Sequence, residues 1–306
     1  MEEKSIVKIY NGVIVNDLSR IDISRYHPKN EPKELNKANT IIIKTANLTL
    51  YIKLPQNKDF SKMEFHASVW KLLDFLMIKF TEKNSHECPK EKLKLKIEVL
   101  ISEYIDLRSD GPISDSAKKK LIKEAKEDLF LLSCMSIEGK EQRKKEEKKL
   151  SQTLICTAAE SKNGVITFCF SENLADYLVK SFPAQYPTSL MKLDSRNSNV
   201  YPLGRKLAIH HSIKNNQSKK TNKKIKVQYL LPWCPSLPSD VEKFKKDRHL
   251  RRRIYEPFEK SLMELGFGCV LKDSKGEMLE YNPDQTVKFA AYRELYVHFS
   301  IPSENN

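Results

Sequence analysis

Glycine is scarce in this chain, with only eight among 306 residues. The sequence contains no G-x-x-x-x-G-K-[ST] phosphate loop, no G-x-G-x-x-G turn and no H-E-x-x-H zinc motif. The only close histidine pair, His210 and His211, consists of neighbours on a predicted helix, so the two side chains cannot face one metal ion. These absences argue against nucleotide hydrolysis and metal-assisted hydrolysis. We expect no enzymatic activity, no cofactor and no metal site.

Long apolar runs are also lacking, so the sequence predicts no membrane-spanning segment and no membrane partner. The first residues, MEEKSIVK, are acidic where a signal peptide would be basic and then apolar. The six cysteines form no C-x-x-C pair and mostly have apolar neighbours, which favours buried reduced thiols over zinc ligands or disulfides. We expect a protein of the bacterial cytoplasm.

The length of the chain exceeds what one hydrophobic core usually organises, so it predicts two domains. We expect a loosely attached arm over residues 1–39, with a short β-like piece at 6–15. A first domain should occupy residues 40–214 and a second domain residues 225–306. The polar, lysine-rich stretch at 215–224 between them has the composition of a linker.

The first domain shows apolar periodicities of strands, then helices, then strands. The first helix should begin at an S-x-x-E capping box, Ser61 and Glu64, and the charged run GKEQRKKEEKK is interpreted as a solvated loop. The predicted strands are 40–54, 132–137, 152–158 and 164–170, and the predicted helices are 61–80, 97–107, 114–132, 171–181 and 199–214. Three helices followed by a hairpin is the order of a winged helix.

After the linker, a compressed version of the same order recurs. A short apolar helix at 227–234 precedes a second capping box, Ser239 and Glu242, and a long helix that ends at Gly266. Pro257 should kink or divide this helix, because proline removes a backbone donor. The segments GCVLKD and AYRELYVHFSI are interpreted as two strands joined by a polar loop. The sequence thus predicts an α+β protein with two tandem winged-helix domains and an N-terminal extension.

Positive charge is concentrated in one part of the chain. Residues 205–260 contain sixteen lysines and arginines against five acids, which is +11 of the total net charge of +14. A field this concentrated suits a polyanionic partner whose counterions are released on contact, and nucleic acid is the leading candidate. The plainer interpretation is a solvated lysine-rich surface. Against it, four arginines fall within an apolar-periodic helix, whereas the surplus lysines fall in a predicted loop.

Two segments carry a resemblance to a known family. YPLGRKLAIHHS, followed at linker distance by YLLPWCPSLPSDVEKFKKDRHLRRRIYEPFEKSLMELG, resembles the domain junction and second winged helix of theta-type plasmid replication initiators, the tandem winged-helix, iteron-binding Rep proteins. KLLDFLMIKF and FSENLADYL resemble the first domain of that family. The resemblance spans residues 40–302 in pattern and element order. The longer arm and the charged insertion after Ile137 depart from the family pattern.

The resemblance implies an initiator that binds repeated origin sites of a plasmid or mobile element and promotes opening of the origin without cutting DNA. It implies double-stranded DNA as partner, and a homodimer that acts as a monomer on the repeats. It also implies contact with host replication proteins such as a helicase or its loader. The first domain would supply the dimer interface and auxiliary DNA contacts, mostly to phosphate, because acids accompany its lysines.

In a winged helix, the last helix before the hairpin enters the major groove, where arginine can donate two hydrogen bonds to a guanine edge. The expected base-reading residues are Arg248, Arg251 and Arg252, because these positions share one helix face. Pairing of the arginines with Glu256 and Glu259 is the alternative, and the nearby acids are few. The expected phosphate contacts are Lys243, Lys245, Lys246, Arg253, Lys219, Lys220, Lys223, Lys224, Arg205 and Lys206.

Two other functions remain open at this stage. A transcriptional repressor or partition factor would use the same DNA-binding units, since a fold does not fix a function. A nicking rolling-circle initiator would need a His-hydrophobe-His metal pair and a tyrosine nucleophile, and the sequence shows no such pair. The arrangement of binding sites beside the gene separates the first alternative from an initiator.

Overall fold

The computed structural model describes residues 6–23, 40–45, 47–55, 65–143, 146–213, 222–237, 249–278 and 288–301, and the side chains of these except residues 11 and 141–148. The chain forms two compact units. The N-terminal unit is Lys8–Pro183, and the C-terminal unit is Ala184–Asn306 together with Met1–Val7. This division differs from the expected boundary at 215–224, because residues 184–213 belong to the C-terminal unit.

The beginning of the chain is packed into the fold rather than loosely attached as expected. Strand β1 (Ile6–Asn11) leads into helix α1 (Val13–Leu18), whose Ile14 and Leu18 are buried. The indole Nε1 of Trp70 donates a hydrogen bond of 2.8 Å to the carbonyl of Ile21. Apolar residues four positions apart explain the attachment, because they share one face of the helix. The expectation of a loose arm was therefore wrong for residues 6–23.

A four-stranded antiparallel sheet with the order β2-β3-β5-β6 is the first layer of the N-terminal unit. Its strands are β2 (Thr40–Lys44), β3 (Leu48–Lys53), β5 (Met135–Arg143) and β6 (Glu146–Leu154). Most of the charged run interpreted from sequence as a solvated loop, residues 139–143 and 146–149, lies instead in the paired strands β5 and β6. Its register sets Glu141 opposite Lys148 and Arg143 opposite Glu146. The same register also sets Lys140 opposite Lys149, so a run this rich in charge can pair as two strands.

The helices of the N-terminal unit pack beside a second, three-stranded sheet. The segment expected to be one helix at 97–107 is a strand with alternating burial followed by a helix, since Ile97 and Val99 point inward while their neighbours are exposed. The expected start of a helix at Ser114 is confirmed: this residue is the N-cap, and its hydroxyl accepts a hydrogen bond from the backbone N–H of Ala117. The elements are α2 (Val69–Lys83), β4 (Lys96–Leu100), α3 (Ile101–Arg108) and α4 (Asp115–Ser133). The Ser61–Glu64 capping box lies outside the described residues.

The second sheet completes a winged helix in the N-terminal unit. Strands β7 (Cys156–Lys162) and β8 (Val165–Phe170) form a hairpin, and the sheet order is β4-β8-β7. Asn163 and Gly164 in the turn both have positive φ, at 50° and 78°, as a tight two-residue hairpin turn requires. Helix, strand, helix, helix and hairpin, with the first strand beside the last, is the winged-helix arrangement. Helix α5 (Glu172–Val179) follows it.

The C-terminal unit repeats the same arrangement. Its sheet has the order β10-β12-β11, and the long helix expected to end at Gly266 does so, with that glycine at φ 68°. The elements are β9 (Phe182–Pro187), α6 (Ser189–Lys192), α7 (Val200–Ser212), β10 (Lys224–Lys226), α8 (Val227–Leu230), α9 (Glu256–Glu264), β11 (Val270–Lys272), α10 (Phe289–Glu294) and β12 (Tyr296–His298).

Two expectations for this unit need correction. Lys224 was assigned to the linker but begins strand β10, which pairs with β12. The segment AYRELYVHFSI was expected to be one strand, yet its first part lies in helix α10 and only residues 296–298 form the strand. Phe289 and Tyr292 are buried, and their three-residue spacing suits a helix that packs on the unit's core.

Candidate nucleic-acid interface

The helix before the C-terminal hairpin is the element on which the expected base readers lie. It is continuous from Leu250 to Glu264, and its buried residues Leu250, Ile254, Phe258 and Leu262 recur every four positions. This spacing fixes one face against the core and leaves the opposite face for solvent. The helix is therefore held in one orientation about its own axis.

Pro257 changes the start of this helix without breaking it. Residues Arg251–Tyr255 form a π-helical turn, in which the backbone N–H of Glu256 donates to the carbonyl of Arg251. Proline has no N–H with which to reach the carbonyl four residues earlier, so the wider hydrogen-bond pattern accommodates it. The sequence predicted a kink or division at Pro257, and the structure places a π-turn just before it. The expected turn near Asp247 lies outside the described residues.

The three described arginines of this helix occupy different environments. Arg252 and Arg253 are exposed, as is His249 beside them. Arg251 is half-buried, and its Nε donates to Oε1 of Glu256 at 2.8 Å. The pairing with Glu256, which the sequence offers as the alternative, is thus present for one arginine. Arg248 lies outside the described residues.

Glu259, the other acid considered as an arginine partner, has a different role. Its carboxylate accepts a hydrogen bond of 3.0 Å from the hydroxyl of Tyr292, whose ring stacks on that of Tyr255 at a centroid distance of 3.8 Å. Burial raises the pKa of the Glu259 carboxyl above its ordinary value, although the Tyr292 hydrogen bond and Arg251 act to lower it. Glu259 therefore anchors the helix to α10 through Tyr292.

An open groove of about 1050 Å³ runs along one side of this helix, and Arg252 lines it. Charges of both signs meet there. Asp194 is bridged by Arg196, and Lys260 lies 3.9 Å from Glu264, which also accepts from Asn197 at 2.6 Å. Because these groups largely pair with one another, the groove is electrostatically mixed and does not by itself define an anion site.

The expected phosphate contacts in the C-terminal unit also differ in exposure. Lys223 and Lys224 are exposed, and Lys224 Nζ lies 5.3 Å from the ring centroid of Tyr296. Lys206 is half-buried, with its Nζ 5.0 Å from the ring of Trp233. Arg205 is only 2% exposed, because it lies on the buried face of α7. The expectation that it contacts phosphate was therefore wrong. Lys219, Lys220, Lys243, Lys245 and Lys246 lie outside the described residues.

Helix α4 of the N-terminal unit holds cationic residues that the sequence analysis undervalued. It is the last helix before the β7–β8 hairpin if the β5–β6 insertion is set aside, which is the position of the arginine helix in the other unit. Its five lysines are all exposed; they are Lys118, Lys119, Lys120, Lys123 and Lys126.

Two of the four acids on this helix, Glu124 and Asp128, are turned inward, whereas Asp115 is exposed and Glu127 lies 3.7 Å from Lys123. Asp128 is 1% exposed and accepts a hydrogen bond of 2.6 Å from the hydroxyl of Ser68. Glu124 accepts from Arg108 at 3.4 Å. Burial acts to raise the pKa of the Glu124 carboxyl, but Arg108 and Ser68 outweigh it and hold that pKa below its ordinary value. The outer face of α4 is therefore more cationic than its composition indicates.

Within the ranges the structure describes, no helix is both long and apolar enough to cross a bilayer. The same residues contain no group of three histidine, cysteine or acidic side chains positioned to hold a metal ion.

No protein-family model matches this sequence, and a search of curated proteins finds no match. Among solved structures, a crystal structure of selenomethionine derivatives of domains 2 and 3 of RctB is similar over 96% of this chain and 100% of its own, with a TM-score of 0.44 and 10% sequence identity.

Proposed function

We propose that this protein is a sequence-specific, double-stranded DNA-binding replication initiator that binds repeated origin sites of a plasmid or mobile element and promotes origin opening. The observation that carries the proposal is the helix at 250–264. Its apolar face is fixed in the core of a winged helix, while Arg252, Arg253 and His249 are exposed next to the position where such a helix enters the major groove. The family resemblance supplies the step from DNA binding to initiation.

The N-terminal unit would add auxiliary contacts through α4. Lysine is a compact point charge rather than a planar fork, so a row of exposed lysines suits phosphates better than base edges. Each lysine that neutralises a phosphate should contribute roughly −0.9 to the slope of log affinity against log salt on duplex DNA. We therefore assign base reading to the C-terminal unit and much of the sequence-independent affinity to α4.

Further parts of the proposal follow from the family resemblance alone. The protein would be a homodimer in solution, would act as a monomer on the repeats, and would recruit a host helicase or its loader. It would not cut DNA.

A footprint on the DNA that flanks the gene tests the proposal. Directly repeated protected sites about two helical turns long, beside an AT-rich segment, would support an initiator. A single protected inverted repeat in a promoter would favour a repressor, and the absence of any protection would contradict both.

Replacing Arg252 with Ala tests the assignment of the reading helix. If Arg252 donates to a guanine edge, affinity for the protected repeat should fall by about 1–3 kcal/mol, with little change on random duplex. Replacing Lys119 with Ala in α4 should instead weaken both DNAs alike and reduce the salt slope by about one unit. Equal losses on both DNAs for the arginine variant would show that Arg252 contacts phosphate.

A further inference from the structure

The outward face of the three-stranded sheet in the C-terminal unit forms a second cationic surface. Along each strand, side chains alternate between the core and the outside. The middle row of the register, Ile225 opposite Val297, is buried at 6% and 0% exposure and points to the core. The rows on either side point outward, and their residues are Lys224, His298 and Val270 in one row and Lys226, Tyr296 and Lys272 in the other.

This face brings two ammonium groups over one aromatic ring and places a third lysine on the neighbouring strand. Tyr296 lies on the central strand, with Lys224 Nζ at 5.3 Å and Lys226 Nζ at 5.7 Å from its ring centroid. Lys272 is directly opposite Tyr296 on the other neighbouring strand. Burial and the charges of Lys272 and Lys224 lower the pKa of His298, which is consistent with a positive potential across the sheet.

Among the described residues, one acid forms an ion pair with a lysine of this face. Glu294 pairs with Lys226 at 2.5 Å and is itself exposed. The carboxylate of Asp273 accepts hydrogen bonds from the backbone N–H groups of Lys275 and Glu277, so it is engaged in the turn after β11. The lysines at 224 and 272 therefore dominate the potential on either side of the ring.

From this arrangement, we propose that the outward face of the β10-β12-β11 sheet binds single-stranded DNA, with Tyr296 stacking on a base and Lys224, Lys226 and Lys272 contacting phosphates. An aromatic ring among lysines provides the two features of a single-strand platform, a surface on which a base stacks and cations for the backbone, because every unstacked base offers a π-face. Duplex DNA would use the lysines but not the ring, since its bases are already stacked on one another. The inference extends the proposed initiator by giving it a surface for a strand that opening exposes, yet the surface can be tested without any origin sequence.

The experiment is a binding titration of the full-length protein with a fluorescein-labelled oligo-dT, alongside a random duplex. Tyr296→Leu keeps an apolar side chain on the strand but removes the π-face, and should weaken oligo-dT binding about tenfold, within the range of stacking one base. Tyr296→Phe should retain binding within about twofold. Both variants should leave binding to random duplex unchanged within about twofold.

Lys272→Gln gives an independent arm, because it does not alter the aromatic residue. It should reduce the salt slope for oligo-dT by about 0.7. Lys275→Gln is the matched control: it removes the same charge in the exposed turn just beyond β11, and should leave that slope unchanged. Thermal denaturation of each variant establishes that it is folded.

Three outcomes would overturn the inference: no binding of oligo-dT by the wild-type protein, equal weakening of oligo-dT and duplex by Tyr296→Leu, or equal effects of Lys272→Gln and Lys275→Gln. Failure of the proposed initiator function looks different. In that case the footprint on flanking DNA is absent, while the Tyr296-dependent binding of oligo-dT persists.

Discussion

Replacing Glu256 with Gln should strengthen DNA binding by releasing Arg251. In the structure, Glu256 Oε1 accepts from Arg251 Nε at 2.8 Å, and the two side chains are 51% and 34% exposed. If Arg251 must leave this carboxylate to reach a base edge, DNA binding has to break the Arg251–Glu256 ion pair, which costs free energy. Glutamine has the same shape as glutamate but no charge, so it should lower that cost.

The expected size follows from the exposure of the pair. Ion pairs this accessible to water contribute about 0.2–1 kcal/mol, which corresponds to roughly a 1.4- to 5-fold gain in affinity. The gain should be largest at low salt, because screening already weakens an exposed pair. Fluorescence anisotropy on the protected repeat at several salt concentrations would measure it.

Glu264→Gln is the matched control on the same helix. It lies eight residues further on, about 12 Å along the axis and beyond the Debye length of about 8 Å at physiological salt. It should therefore change affinity much less than Glu256→Gln. In a background of Arg251→Ala, Glu256→Gln should have little effect. A gain that persists without Arg251, or that Glu264→Gln reproduces, would refute the role assigned to the pair.

Three further predictions concern stability and chemistry. Burial raises the pKa of Asp128 well above its ordinary value, so its contribution to stability is present below about pH 4 and is lost as pH rises through the folded-state pKa. In urea denaturation, the stability of Asp128→Asn relative to wild type should therefore increase as the pH rises from 4 to 8. A difference in unfolding free energy that stays constant over this range would contradict the prediction. A Cβ on Gly204 would lie 2.4 Å from Leu190 Cδ2 and 2.7 Å from Leu265 Cδ2, so Gly204→Ala should cost about 1–3 kcal/mol of unfolding free energy in the same assay. With Mg²⁺ or Mn²⁺, the protein should neither nick supercoiled origin DNA nor become covalently attached to it, and an adduct on a denaturing gel would overturn the initiator proposal.

The sequence predicted correctly those elements whose start or end is set by residues within the element itself. The start of α4 at Ser114 and the end of the arginine helix at Gly266 are confirmed for this reason. Elements that depend on a distant partner were misjudged. The charged residues at 139–143 and 146–149 become strand only because β5 and β6 pair, and residues 97–100 become strand only because β8 lies beside them. No local pattern reveals such partners.

The site was predictable to a similar degree. The arginine helix could be located, but the distribution of its charges could not, because Pro257 imposes a π-turn that changes which side chains share a face. The pairing of Arg251 with Glu256 follows from that local geometry. Arg205 was misplaced because the sequence shows its charge and not the burial of its helix face.

The contrast between the two units depends on which acids face the solvent. On α4, Asp128 falls three residues after Ala125 and four before Leu132, within the stripe that the helix turns toward the core. Counting Asp128 against the lysines made the helix look nearly neutral, although burial hides its carboxyl from any DNA at the surface and raises its pKa, which favours the uncharged form. The outer face of α4 is then rich in lysines, with only Asp115 and Glu127 as exposed or partly exposed acids, and the corresponding helix of the C-terminal unit presents arginines. Since arginine can recognise a base edge through two hydrogen bonds and lysine acts as a point charge, the same fold used twice can divide sequence reading from phosphate binding.

Exchanging the residue types should expose that division: Lys119→Arg should preserve affinity without adding specificity, whereas Arg252→Lys should preserve salt dependence and lose discrimination between the repeat and random duplex.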